Sequence, residues 1–160
     1  RLREMFVVQF QERTDPKAAL PIPPALSVAS LNTHDTPTFA GHWRGDDLVD
    51  SVRLGLLPRD QLKSAKKYRA RIKTALVQFL KEQGFLKTAR PNLREVVAAL
   101  TAWLKASPAE IALINLEDLW LETRPQNVPG TSSERPNWRR QAKLSFEEMI
   151  KGVQVPQIRG

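Results

Sequence analysis

Apolar residues crowd into residues 5–11, MFVVQFQ, a run rich in valine and phenylalanine with the composition of a short strand buried on both faces. Prolines at 16, 21, 23 and 24 end it and dictate a loop. Residues 26–32, LSVASLN, predict a second short strand. After Gly45, acidic residues in a first turn and apolar ones at 48, 49, 52 and 56 predict a short helix that Pro58 closes. From residue 59 to about 83, Leu62, Ala65, Tyr68, Ile72, Ala75, Leu76 and Phe79 recur at steps of three and four, and Gly84 stands at the C-cap position. Residues 92–106 repeat that logic, with Asn92 as N-cap and Leu93, Val96, Val97, Leu100, Trp103 and Leu104 on one side. Residues 111–116 are nearly continuously apolar, which predicts a third buried strand. A turn-rich stretch with three prolines follows at 122–138, then a terminal helix over 139–152 and a tail over 153–160.

Helices between strands imply an α/β unit with parallel pairing, because parallel neighbours need crossover connections. Three strands make a small sheet with open edges. With Arg1 first and Met5 inside a strand, the expectation is a piece of a larger chain.

Composition narrows this picture. A hydrophobic content of 41% excludes general disorder, and no run reaches the roughly 18 apolar residues of a membrane span, so a soluble, untargeted chain is expected. The absence of cysteine removes disulfides, zinc–thiolate sites and thiol nucleophiles, and fits a reducing, cytoplasmic setting. The net charge of +8 would attract polyanions, but the basic residues Arg59, Lys63, Lys66, Lys67, Arg69, Arg71 and Lys73 share one helical pattern. They read either as a solvated helix face or as a binding module for nucleic acid or an acidic partner.

The stretch LNTHDTPTFAGHWRGDD, residues 31–47, carries the candidate chemistry. His34 and Asp35 stand at a strand's carboxyl end, where parallel α/β folds bind ligands, though Asp and Thr also build ordinary polar turns. The only other histidine, His42, gives no metal-ligand spacing, and no GxSxG nucleophile motif is present. Arg44-Gly45-Asp46 spells an adhesion tripeptide without any secretory context. Phe39, Trp43, Trp120 and Trp138 could stack on sugar faces or simply pack a core.

Two of these stretches together resemble the C-terminal part of the 4-α-glucanotransferases, glycoside hydrolase family 77 in the α-amylase clan. The first is Thr33-His34-Asp35 with Thr38, Gly41 and Trp43, His42 intervening between the last two. The second is Leu116, Asp118 and Leu119 followed by Asn-Val-Pro-Gly-Thr at 127–131 and by Asn137-Trp138. REMFVVQFQ resembles the strand that follows the family's acid/base region.

The resemblance implies a C-terminal portion of a (β/α)8 barrel, residues 1–160 forming one incomplete catalytic domain of about three parallel strands. It implies a retaining enzyme that passes α-1,4-glucan segments between maltodextrins, using a nucleophile, an acid/base and a third carboxylate beside a histidine. Asp35 matches the third carboxylate, the transition-state stabiliser, and His34 its neighbour; Asn127 and Gly130 are the other expected substrate-binding residues. No residue here matches the nucleophile or the acid/base, so the isolated chain is expected to be inactive; separately, open parallel edges and one-sided helices predict marginal folding or self-association. No metal or other cofactor is implied. The expected partners are a maltodextrin or other α-1,4-glucan and the N-terminal remainder of the barrel, with no nucleic acid and no membrane. Another hydrolase of the same clan is the alternative enzyme reading.

Overall fold

The computed structural model describes residues 2–152. Three parallel strands, β1 (Glu4–Val7), β2 (Ser27–Ser30) and β3 (Ile111–Ala112), form one sheet in the order β1-β2-β3. Glu4 faces Ser27 and Val7 faces Ser30 on one side of β2, while Val28 faces Ile111 on the other. The expected α/β class and parallel pairing are therefore present.

The strand ends differ from expectation. The chain coils after Val7 into a single helical turn, α1 (Val8–Gln11), although Gln9 still donates its N–H to the Leu31 carbonyl. The Gln9 side chain donates to the Pro37 carbonyl at 3.0 Å, and this tie to the next loop replaces the end of the ladder. The third strand is shorter than its apolar run and is not buried: Ile111, Leu113, Ile114 and Leu116 are exposed. It pairs only with β2, and among the described residues nothing covers its other side.

Four helices connect β2 to β3. The first, α2 (Phe39–Arg44), was not predicted; Thr38 caps it by accepting from the Gly41 N–H at 3.2 Å. Gly45, at φ +81°, ends α2 and opens α3 (Asp46–Arg53), so the Arg-Gly-Asp tripeptide is a helix junction. A 3-10 turn over Arg59–Gln61 precedes α4 (Leu62–Glu82). At the end of α4, Gly84 donates to Lys81 and Phe85 to Leu80, the paired bonds of a Schellman motif. Helix α5 (Leu93–Ala106) starts at a capping box in which Asn92 and Glu95 satisfy each other's backbone N–H.

The periodic faces of α4 and α5 bury Ile72, Leu76, Leu80, Val96, Leu100 and Leu104 against Phe6, Ala29 and Leu31 of the sheet region. Trp103 joins the layers, with its ring 6.3 Å from Phe6 and 5.6 Å from Phe79. After β3 come α6 (Leu116–Leu119) and α7 (Phe146–Gly152), the latter shorter than the helix expected over 139–152. The expected tail at 153–160 lies outside the described residues. No helix among the described residues is long and apolar enough to cross a membrane.

Leu100 is fully buried at the centre of this layer, so Leu100→Ala is expected to cost about 3 kcal/mol of stability, read by urea denaturation. A loss below about 1 kcal/mol would mean that α5 is not the keel of the core.

Candidate functional site

At the carboxyl end of β2 the chain enters a loop, residues 33–38, that carries His34 and Asp35. Hydroxyls shape it locally. Thr36 Oγ1 accepts from the Thr33 N–H at 2.9 Å, and Thr33 Oγ1 accepts from the Asp35 N–H at 3.2 Å. These short-range bonds are the turn chemistry that threonine and aspartate favour, so the loop is a polar turn by construction. It is also the place where two distant motifs meet.

Asn127, 92 residues along the chain from Asp35, donates its side-chain N–H to Asp35 Oδ1 at 2.6 Å. His34 Nε2 lies 3.3 Å from Asp35 Oδ2, and the Trp138 ring centre is 5.7 Å from that of His34. The side chains of His34 and Asp35 are 70% and 55% exposed and Trp138 is 60% exposed, so all three can be reached from solvent. One oxygen of Asp35 is thus oriented by an amide while the carboxylate keeps capacity to accept from a ligand.

The second motif builds its own turn. Thr131 donates to the Val128 carbonyl at 3.2 Å across Pro129 and Gly130, and Gly130 takes φ +83°, as the third position of a type II turn requires. Asn137 ties this turn together, accepting from the Val128 N–H at 3.2 Å and donating to Thr131 Oγ1 at 3.0 Å. Gly130 therefore serves the turn, with Leu56 its neighbour where a Cβ would stand, while Asn127 alone of the pair reaches Asp35. Trp138 holds φ +59°, rare for a bulky residue, with its N–H donating to Gln126 at 2.9 Å.

The remaining candidates separate. Phe39 is core, and Trp43 stacks 5.9 Å from it with Lys73 Nζ 4.8 Å above its ring. Trp120 is half-buried, its indole N–H without a partner among the described residues. His42 does not join His34; its Nε2 donates to Glu12 at 2.7 Å in a nearly buried pair. Nor is the basic pattern of α4 uniform, because Arg69 turns inward to Asp47 at 3.0 Å and to the His42 carbonyl.

Residue-type reasoning left Asp118 and Asn32 without a role, and both prove central. Asp118 is 3% exposed and accepts from Asn32 Nδ2 at 3.0 Å. Burial raises its carboxyl from the ordinary 3.8 to about 6, against the opposing Asn32 amide and Phe39 N–H, with nearby Glu117 adding to the rise. A polar residue inside a leucine-rich segment, LEDLW, was the available signal.

Between those two values the folded chain retains a proton that the unfolded chain releases, so stability from this group falls as pH rises. A gap of about two units corresponds to about 3 kcal/mol. Going from about pH 3.5 to about pH 7, the chain should lose roughly that much stability relative to Asp118→Asn; parallel profiles would refute the assignment.

Gly41 faces the backbone of Thr123, whose carbonyl oxygen a Cβ there would overlap. Gly41→Ala is expected to cost about 2 kcal/mol and shift the 122–124 segment, read by denaturation and by the amide resonances of that segment.

Residues 1–145 match the family described as 4-alpha-glucanotransferase, glycoside hydrolase family 77. The 4-alpha-glucanotransferase of Mycobacterium tuberculosis strain H37Rv is 35% identical over 137 residues, covering 81% of this chain and 18% of the relative. That of Haemophilus influenzae is 27% identical over 143 residues, covering 83% and 20%. The crystal structure of amylomaltase from Corynebacterium glutamicum superposes with a TM-score of 0.67 at 23% identity, over 85% of this chain and 21% of that one, which is a likeness of fold. The chain thus spans about a fifth of the length of the relatives it matches. By this match over most of its length, the chain belongs to the 4-alpha-glucanotransferase family, glycoside hydrolase family 77.

Proposed function

We propose that this chain supplies the transition-state carboxylate and part of the sugar cleft of a retaining 4-α-glucanotransferase acting on maltodextrins. The observation that carries it is the 2.6 Å bond from Asn127 to Asp35, which joins the two motifs of the family resemblance at one exposed place beside His34 and Trp138.

Retention requires a covalent glycosyl-enzyme made by one carboxylate and an acid/base alternating at the other, the two standing roughly 5–5.5 Å apart. Asp35 is neither of these. As the glycosidic bond breaks, positive charge spreads toward the ring oxygen and the ring hydroxyls become stronger donors. A carboxylate already fixed to receive them favours the transition state over the bound substrate. Asn127 holds one oxygen of Asp35, His34 offers a ring nitrogen for a neighbouring hydroxyl, and Trp138 gives an apolar surface for a sugar face.

The nucleophile and the acid/base belong, in this reading, to earlier strands of the same barrel, of which these strands are the C-terminal portion. Exposed Met5, Phe10, Ile111, Leu113, Ile114 and Leu116 support it, being apolar surface suited to cover by further strands and helices. Those strands are the chain's expected protein partner, and an α-1,4-glucan its ligand.

In the complete enzyme, Asp35→Asn should lower the rate of maltotriose disproportionation by about 10³-fold without changing the melting temperature. A rate within a few-fold of the unaltered enzyme would remove Asp35 from the site. The isolated chain should give no detectable disproportionation, and measurable turnover would overturn the division of catalytic carboxylates proposed here.

A further inference from the structure

Asn32 lies two residues past β2, immediately before the loop that carries His34 and Asp35, and it is 4% exposed. Its side-chain oxygen, its side-chain N–H and its backbone carbonyl are all engaged by the segment after β3. Asn115 Nδ2 donates to the Asn32 backbone carbonyl at 3.0 Å and also to its side-chain oxygen. The Asn32 side-chain N–H donates to Asp118, at 3.0 Å to one oxygen and 3.3 Å to the other. The Asn32 carbonyl accepts a further bond, from Ser30 Oγ at 2.9 Å. Asp118, with Asn115 beside it, thus holds the residue from which the loop departs.

We infer that Asp118, with Asn115 and Asn32, is a positioning clamp that fixes the loop of His34 and Asp35 from beneath, with no contact to substrate of its own. The inference rests on the proposed role of Asp35. Its logic is geometric: Asn32 has two side-chain atoms to place, and Asn115 and Asp118 take one each, so the amide cannot flip without losing both. The backbone at residue 32 then has one orientation, and the turn that follows inherits it. Buried polar networks of this kind specify a unique arrangement when every member is satisfied. An apolar group in place of Asp118 would fill the same space and leave the Asn32 amide unpaired.

The test uses the complete enzyme with Asp118→Asn, Asn32→Ala and the double variant. Amide hydrogen exchange at residues 33–39 should accelerate at least tenfold in each, with protection in α4 and α5 unchanged. In maltotriose disproportionation kcat should fall about 10- to 100-fold with KM within about threefold, and the double variant should be no worse than the worse single one. Leu104→Ala, a buried change in the last turn of α5, at the end that leads into the amino end of β3 and so away from the loop edge, serves as the control: it lowers stability and keeps kcat. Unaltered loop exchange in Asp118→Asn overturns the clamp. Faster exchange with unaltered kcat upholds the clamp and overturns the assignment of Asp35 to the reaction. Additive losses in the double variant overturn the claim that Asn32 and Asp118 act as one unit.

Discussion

The central position of β2, parallel to a neighbour on each side, is the constraint from which the rest of the arrangement follows. Parallel strands end at the same edge of their sheet, so the loops that leave β1, β2 and β3 are delivered to one place. Gln9 from the first loop bonds Pro37 in the second, and Asn115, Asp118 and Asn127 from the third bond Asn32 and Asp35. With antiparallel pairing of β2 and β3, residues 115 and 127 would leave from the opposite edge and these contacts could not form. The long crossover through α4 and α5 serves this end: it reverses the chain and supplies the apolar layer that holds the short strands flat against one another.

The loop edge is where local rules of stability are set aside. Asp118 is buried with a carboxyl that resists ionisation, Trp138 sits in the left-handed region, and Gly41 stands where no side chain can. Each is a feature that a fold under no other demand would avoid, and all three lie within or against the segments that place Asp35. The helical layer behind the sheet shows the opposite character. Its capping box and Schellman motif agree with local sequence preference, and its buried face is apolar throughout.

This division explains what could be read from the sequence. Helices α4 and α5 were legible because a period of 3.6 residues, an N-cap asparagine and a terminal glycine act locally. Helix α2 was not, since Gly41 and His42 lower helix propensity and its start depends on one Thr38 cap. The apolar run at 111–116 misled, because composition reports suitability for burial and not whether a covering element is present. At the candidate site, His34, Asp35, Asn127 and Asp118 stood out through motif resemblance, whereas the bonds that join them were not legible. Asn32 and Asp118 are 86 residues apart, and no local period or spacing links an amide to the carboxylate it will meet.

Placement and chemistry also draw on different parts of the molecule. The bonds that set the loop, buried between Asn32 and Asp118 and half-buried at Asn115, are formed wholly within this chain, so water competes little for them. The side chains proposed to meet a ligand, His34, Asp35 and Trp138, are solvated, and an exposed carboxylate interacts weakly with any charge across water. A transition-state interaction at Asp35 gains strength only when further structure closes over it and lowers the local dielectric. In the proposed reading, the geometry of the carboxylate is therefore a property of these strands and loops, while its catalytic force comes from the enclosed cleft.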